Sequence, residues 1–187
     1  MMLTVICCTA AALLIVFGFV YGRQVMKKRQ YALKYEDIIR AESELNDLDT
    51  YFVSALIYTE SSFRPEARSA AGAVGLMQIM PKTGEWLAEM EGIDFSEEWL
   101  TVPEYNIHLG CAYLKYLFER FPGCEEVLAA YNAGPNRVYE WIDDGLVLAG
   151  TGRLDVSRIP FGETKNYVNK AMNAYEMYKE LYKAVLD

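Results

Sequence analysis

The sequence predicts a mainly α-helical domain with one small irregular or β segment, and three observations carry that prediction. Apolar residues recur at helical spacing through most of the chain beyond Tyr31, no run of alternating apolar and polar residues marks a strand, and Pro81 and Pro103 stand where first-turn prolines belong. The 187 residues are 52% apolar and 24% charged, which suits one compact domain and a short leader and allows a core without disulfides or metal. No internal repeat is visible, which excludes a solenoid.

The leader comes first. Met1 to Gly22 carries no charge, and Val5 to Val20 is almost wholly apolar, about the length a bilayer core requires. A cleaved signal peptide is the competing reading; it normally has a basic start and a small-residue cleavage site, and neither is clear here. We therefore expect a membrane anchor over residues 1–22 and a basic juxtamembrane linker over 23–34, followed by the folded domain over 35–187. The Cys7–Cys8 pair lacks the preceding residues that lipid attachment favours. Arg23, Lys27, Lys28, Arg29 and Lys34 follow the apolar run, and such a flank favours a cytoplasmic side for what comes after it.

Charge divides sharply at that point. All 26 acidic residues fall from Glu36 onward against 13 of the 18 basic ones, so the net −8 of the chain becomes −13 over this part. A nucleic-acid partner wants the opposite sign and is excluded.

The helices follow in order. Tyr35, Ile38, Ile39 and Leu45 stripe a segment from Tyr31 to Leu45. Asp49 or Thr50 caps the next helix, striped by Phe52, Val53, Leu56 and Ile57 and closed by Arg64-Pro65. Ser69 to Pro81 is small, Gly-rich and apolar, the place for the irregular segment. Pro81 and Pro103 open two helices. The second is long, with Ile107, Cys111, Leu114, Leu117, Phe118 and Phe121 on one side. A shorter helix through Val127, Leu128 and Tyr131 stops at Gly134-Pro135. Gly145 to Phe161 reads as a loop. The last helix, from about Glu163 to Leu186, is expected to bury Tyr167, Val168, Ala171, Met172, Tyr175 and Tyr182. Cys111 and Cys124 are held apart by the intervening helix and read as small buried residues rather than a disulfide. Four scattered cysteines and the single His108 have no metal-ligand spacing, and no cofactor is expected.

Chemistry is suggested first at Glu60. It follows Phe52, Val53, Leu56 and Ile57 at offsets that place it on the helix's apolar face. Burial there, near a helix C-terminus, raises a carboxyl pKa, which a general acid requires. A helix-end Glu turned to solvent fits the same residues equally well. In the segment from Ser69 to Pro81, Gln78 offers an amide to a sugar and Met77 an apolar wall; a tight core turn is the plainer alternative.

Four stretches then occur in order: Glu60-Ser61-Ser62-Phe63; Gly75-Leu76-Met77-Gln78-Ile79-Met80-Pro81; Ala130-Tyr131-Asn132-Ala133-Gly134-Pro135; and Ile159-Pro160-Phe161-Gly162-Glu163-Thr164-Lys165-Asn166-Tyr167-Val168. Together they resemble the motifs of the soluble-lytic-transglycosylase (SLT) catalytic domain, and the resemblance runs from about Tyr31 to the C-terminus. It implies a lysozyme-like α+β fold, peptidoglycan as substrate and Glu60 as the one catalytic acid/base. It places Ser69, Met77, Gln78, Tyr131, Asn132, Glu163 and Tyr167 along the sugar site. Core packing of Tyr131 and Tyr167 is compatible with this, since a ring can pack while its hydroxyl reaches the cleft. Lys165 stands where Arg is common in the family and Cys111 where Thr is common.

The implied reaction is cleavage of the β-1,4 bond between N-acetylmuramic acid and N-acetylglucosamine with closure of a 1,6-anhydro ring. Its implied place is outside the cytoplasmic membrane, with the chain held by its N-terminal segment. The alternatives are a goose-type lysozyme-like hydrolase, with Glu163 as a second carboxylate, and a non-catalytic cell-wall-binding module. Neither protein partners nor the biological process are legible.

Overall fold

The computed structural model describes the backbone of residues 2–186 and the side chains of residues 14–183. It divides into two units, Met1–Ala32 and Leu33–Asp187. The first is a single helix, α1 (Met2–Gln30), with Lys27, Lys28 and Arg29 in its last turn, where cations suit the negative end of the helix dipole. Much of the apolar run, including Cys7 and Cys8, falls on residues whose side chains lie outside those described. Among the described residues, no helix is long and apolar enough to cross a membrane.

The second unit is helical as expected: α2 (Glu36–Leu45), α3 (Thr50–Ser61), α4 (Pro81–Glu91), α5 (Pro103–Phe118), α6 (Cys124–Ala133), α7 (Pro135–Asp143) and α8 (Gly162–Leu186), with short 3-10 turns at Glu97–Thr101 and Val156–Arg158. Among the described residues, β structure is limited to isolated bridges, two of them (Arg68 with Val74, Val74 with Ile79) inside the Gly-rich segment.

Asp49 starts α3 by accepting from the backbone N–H groups of Tyr51 and Phe52, the orphan donors of a first turn. Phe52, Val53, Leu56 and Ile57 are then buried. The helix stops at Ser62, which takes a left-handed conformation at φ 52°. Its chief neighbour is α8, and this pair forms the centre of the core. The inner stripe of α8 is Thr164, Val168, Ala171, Ala174, Tyr178 and Leu181, rotated from the expected one. Tyr167, Met172, Tyr175 and Tyr182 are only half-buried. For the tyrosines the reason is the hydroxyl, which must reach a polar partner. Tyr175 donates to Asp49 Oδ2 at 2.5 Å, and Tyr182 accepts from the Leu33 N–H at 3.2 Å.

Pro103 does open α5, and Ile107, Cys111, Leu114 and Leu117 are buried along it. The helix ends at Phe118, so Phe121 reaches the core from beyond it. Cys111 and Cys124 are free thiols, and His108 is half-buried with Nδ1 3.0 Å from Glu42 Oε2. Gly134 ends α6 at φ 88°, but Pro135 immediately begins α7, a helix the sequence reading omitted. Its Val138 and Trp141 are buried. The irregular stretch before α8 is fastened to α6 by Glu126, whose fully buried carboxylate accepts from Arg153 Nε and Nη2 and from the Leu154 N–H, each at 3.1 Å.

Candidate active site

The Gly-rich segment owes its shape to polar groups buried around it. Gly75 has φ 86°, and a Cβ there would collide with the Leu100 carbonyl and the Asn106 amide. Only glycine suits such a position. Asn106, fully buried on α5, accepts from the Met77 N–H at 2.7 Å and donates to the carbonyls of Val74 and Leu100 at 3.0 and 2.8 Å. Ser61 donates from α3 to the Leu76 carbonyl at 2.7 Å. Backbone groups that would otherwise be buried unpaired are thus satisfied from two helices.

That scaffold sets Gln78 in a left-handed conformation at φ 49°, unusual for a residue with a Cβ. Its side-chain nitrogen compensates by donating to the carbonyls of Ala67 and Gly75 at 3.1 and 2.9 Å. With the nitrogen so engaged, the side-chain oxygen is the group suited to a ligand.

Glu60, one residue from the end of α3, is half-buried. The Tyr167 hydroxyl donates to its Oε1 at 2.5 Å. Burial raises the Glu60 pKa from 4.5 to about 7, against the lowering effects of the Tyr167 hydrogen bond and the Lys170 charge. Desolvation outweighs both because the nearer partner is neutral and Lys170 is solvent-exposed. Burial and the neighbouring Glu60 push the Tyr167 hydroxyl far above its usual range, so it remains a donor. The resulting carboxyl group is divided between acid and carboxylate near neutral pH and can deliver a proton and then take one.

A hollow of about 440 Å³ opens at Glu60 and is bounded by Ser69, Gln78, Tyr131, Asn132 and Glu163, with Met80 and small alanines completing it. Two further hollows share Asn132 with it. One, of about 260 Å³, adds Thr83 and Tyr113; the other, of about 410 Å³, adds Arg137 and Phe161 beside Glu163. Their adjacency around Asn132 suits an extended, polyhydroxylated ligand better than a small one. Tyr131 holds its hydroxyl on the Met77 carbonyl at 2.8 Å while its ring packs on Tyr113, 5.2 Å between centroids. Ser69 accepts from the Ala73 N–H at 3.0 Å, steadying the rim.

Met77 lies elsewhere than expected. Its side chain is fully buried, and a Cβ on Gly110 would collide with its sulfur. It packs against α5 and leaves the cleft wall to Met80, which is 42% exposed. Sequence reasoning also missed Asn106, Tyr113 and Lys170. Pro103 marks the start of α5 and so places Asn106 in its first turn, but nothing local shows that an amide there serves a distant loop.

The Transglycosylase SLT domain model matches residues 37–145. The chain is 35% identical over 159 residues to the soluble lytic murein transglycosylase of Escherichia coli (strain K12), covering 81% of this chain and 24% of that protein. It is 30% identical over 177 residues to the membrane-bound lytic murein transglycosylase C of Edwardsiella ictaluri, covering 80% and 48%. An inactive mutant of the lytic transglycosylase Slt from Pseudomonas aeruginosa superposes with a TM-score of 0.75 at 33% identity, over 82% of this chain and 25% of that one. This chain therefore spans about a quarter of the length of the soluble relatives it matches.

Proposed function

This chain belongs to the Transglycosylase SLT family, and from that premise we propose that it is a membrane-anchored peptidoglycan lytic transglycosylase with Glu60 as its acid and base. The observation that carries the proposal is the Glu60 carboxyl, raised to about 7 and held by a tyrosine hydroxyl at the floor of a multi-lobed cleft. Protonated Glu60 gives its proton to the glycosidic oxygen between N-acetylmuramic acid and N-acetylglucosamine. The muramyl 2-acetamido group stabilises the developing positive charge at C1. Glu60, now a carboxylate, removes the proton from the C6 hydroxyl of the same sugar, whose oxygen closes onto C1. One bond breaks, one forms, and no water is consumed.

The remaining cleft groups make the internal hydroxyl a better nucleophile than water by holding the sugar, an effective-concentration advantage. Ser69, Gln78, Tyr131, Asn132 and Glu163 line the sugar site in this proposal, and Tyr167 fixes the Glu60 carboxyl. Met77 contributes through its backbone carbonyl, which anchors Tyr131. No cofactor or metal enters the scheme.

A hydrolytic reading has one observation in its favour: Glu163 borders the same hollow as Glu60, as a second carboxylate activating water would. Products separate the two. The full chain is incubated with purified peptidoglycan and the fragments are weighed. Internal attack gives muramyl ends lighter by one water and without a reducing end; ordinary reducing muramic acid would favour hydrolysis. Binding to the wall without fragments would favour a binding module.

For placement, the proposal assigns residues 1–22 to an anchor, 23–34 to a basic linker and 35–187 to a catalytic domain outside the cytoplasmic membrane. The uncharged leader and the membrane-bound relative support the anchor; location of the substrate supports the outward face against the basic flank. Protease added to intact wall-stripped cells digests the domain if this is right, and full protection would refute it.

A further inference from the structure

The face of α8 turned toward the catalytic acid carries more than the tyrosine that binds it. Glu163, Tyr167 and Lys170 stand at positions i, i+4 and i+7, one stripe of the helix. Glu163 borders the cleft and Tyr167 holds Glu60. Lys170 Nζ donates to the Thr59 carbonyl at 2.9 Å, one residue before Glu60 and within the last turn of α3. Carbonyls of a last turn have no partner inside their helix and form the negative end of its dipole. Two further bonds to carbonyls of this turn are local: Ser62 donates to that of Tyr58 and Arg64 Nε to that of Ser61. Lys170 alone among these reaches it from a distant helix and brings a full positive charge to the backbone beside the acid.

We propose that Lys170 is a positioning residue for Glu60, tethering the end of α3 to α8 and supplying the charge that favours the carboxylate form when Glu60 acts as base. This rests on the assignment of Glu60 as the acid and base. A buried acid with only neutral partners protonates the leaving oxygen readily but accumulates too little carboxylate for the second transfer. A fully paired one has the opposite fault. A single cation held one residue away, on a backbone carbonyl rather than on the carboxylate itself, lies between these extremes.

The groups acting on Glu60 are few. From α8 come the Tyr167 hydroxyl and the Lys170 charge, both favouring ionisation. Glu163, also on α8, and Tyr131, on α6, border the same hollow. α2, which packs against α3, carries Glu36, Asp37, Arg40, Glu42 and Glu44, of which Arg40 pairs with Glu36 and Glu42 with His108. One turn away from Lys170 along α8 lie Asn166, Tyr167, Asn173 and Ala174, none of them a charge that would neutralise it.

The test compares the full-chain parent, Lys170→Met and Lys170→Arg by the pH dependence of peptidoglycan cleavage, with thermal melts alongside. The alkaline limb reports loss of the proton from Glu60. In Lys170→Met it should move upward by roughly half a unit, the scale left after solvent screening of an exposed ammonium. Turnover below the limb should fall severalfold because the carboxylate step has lost its cation. Lys170→Arg, which keeps the charge and a donor, should restore both. A limb unmoved in Lys170→Met, or a Lys170→Arg profile matching Lys170→Met, would overturn the inference, since a purely structural tether changes the melt and not the limb. Glu60→Gln in the same assay separates the two levels. If it is inactive, an unmoved limb counts against Lys170 alone; if it cleaves like the parent, the assignment of Glu60 falls and takes the Lys170 inference with it.

Discussion

Glu60 and Glu126 are two carboxylates on helices of one core, one at the end of α3 and one at the start of α6, and their surroundings could hardly differ more. Glu126 is wholly buried and answered by a guanidinium on both oxygens and a backbone N–H. Glu60 receives one neutral hydroxyl, and the Lys170 ammonium whose charge acts on it is bonded to a backbone carbonyl. A buried carboxylate bonded on both oxygens to its own guanidinium serves as a fastener. A half-buried one without such a partner keeps its proton to about pH 7, as the proposed acid and base requires.

The sharpest way to break this comparison is Glu60→Gln. It preserves shape and removes the transferable proton, so cleavage should fall by at least about a hundredfold, the scale of general acid–base contributions, with an unchanged circular dichroism spectrum. Activity within tenfold of the parent would remove Glu60 from its role. The complementary change, Glu126→Ala, strands Arg153 and the Leu154 N–H. It should lower unfolding free energy by on the order of 2 kcal/mol while activity per folded molecule stays near the parent's, as a denaturant titration beside an assay would establish.

Tyr167→Phe tests the neutral partner. Removing its hydroxyl leaves Glu60 less well held and takes away a hydrogen bond that lowers its pKa. Turnover should drop about tenfold, the alkaline limb of the pH profile should move upward, and the melting temperature should change little. A large loss of stability with an unmoved limb would assign Tyr167 to packing.

A separate effect lies in stability against pH. The folded state holds the Glu60 proton up to about pH 7 while the unfolded chain releases it near 4.5. Between these values the unfolded state binds fewer protons, so this residue makes stability fall as pH rises through the window and stay level above it. Glu60→Gln lacks that fall. Its melting temperature relative to the parent should rise by about ten degrees between pH 4.5 and 7; a constant difference would contradict the raised pKa.

The same contrast explains what could be read before the structure. Glu60 stood out because a carboxylate on the apolar face of α3 breaks the helical pattern, and Asp49, Pro81 and Pro103 marked helix starts through local chemistry. Glu126 escaped notice because an acid in a first helical turn is ordinary, and its partner Arg153 lies 27 residues on, in an irregular stretch. Asn106 and Lys170 were missed for the same reason: each acts on a segment remote in sequence, with no periodic trace. Helix α7 was lost because Gly134-Pro135 was read only as a stop, although a proline that cannot continue one helix is well placed to begin another. Met77 was assigned to the cleft from a motif whose side-chain direction only the packing on Gly110 reveals. Long-range polar pairing and the facing of side chains in an irregular loop are thus what this sequence concealed.

The central claim is that the fold leaves Glu60 able to keep its proton at neutral pH. The most direct measurement is a pH titration of the side-chain carboxyl carbons in protein labelled with carbon-13 at glutamate, with the Glu60 resonance assigned by its absence from Glu60→Gln. The account predicts a midpoint at about 7. A midpoint near 4.5, the ordinary value for an exposed glutamate, would contradict it.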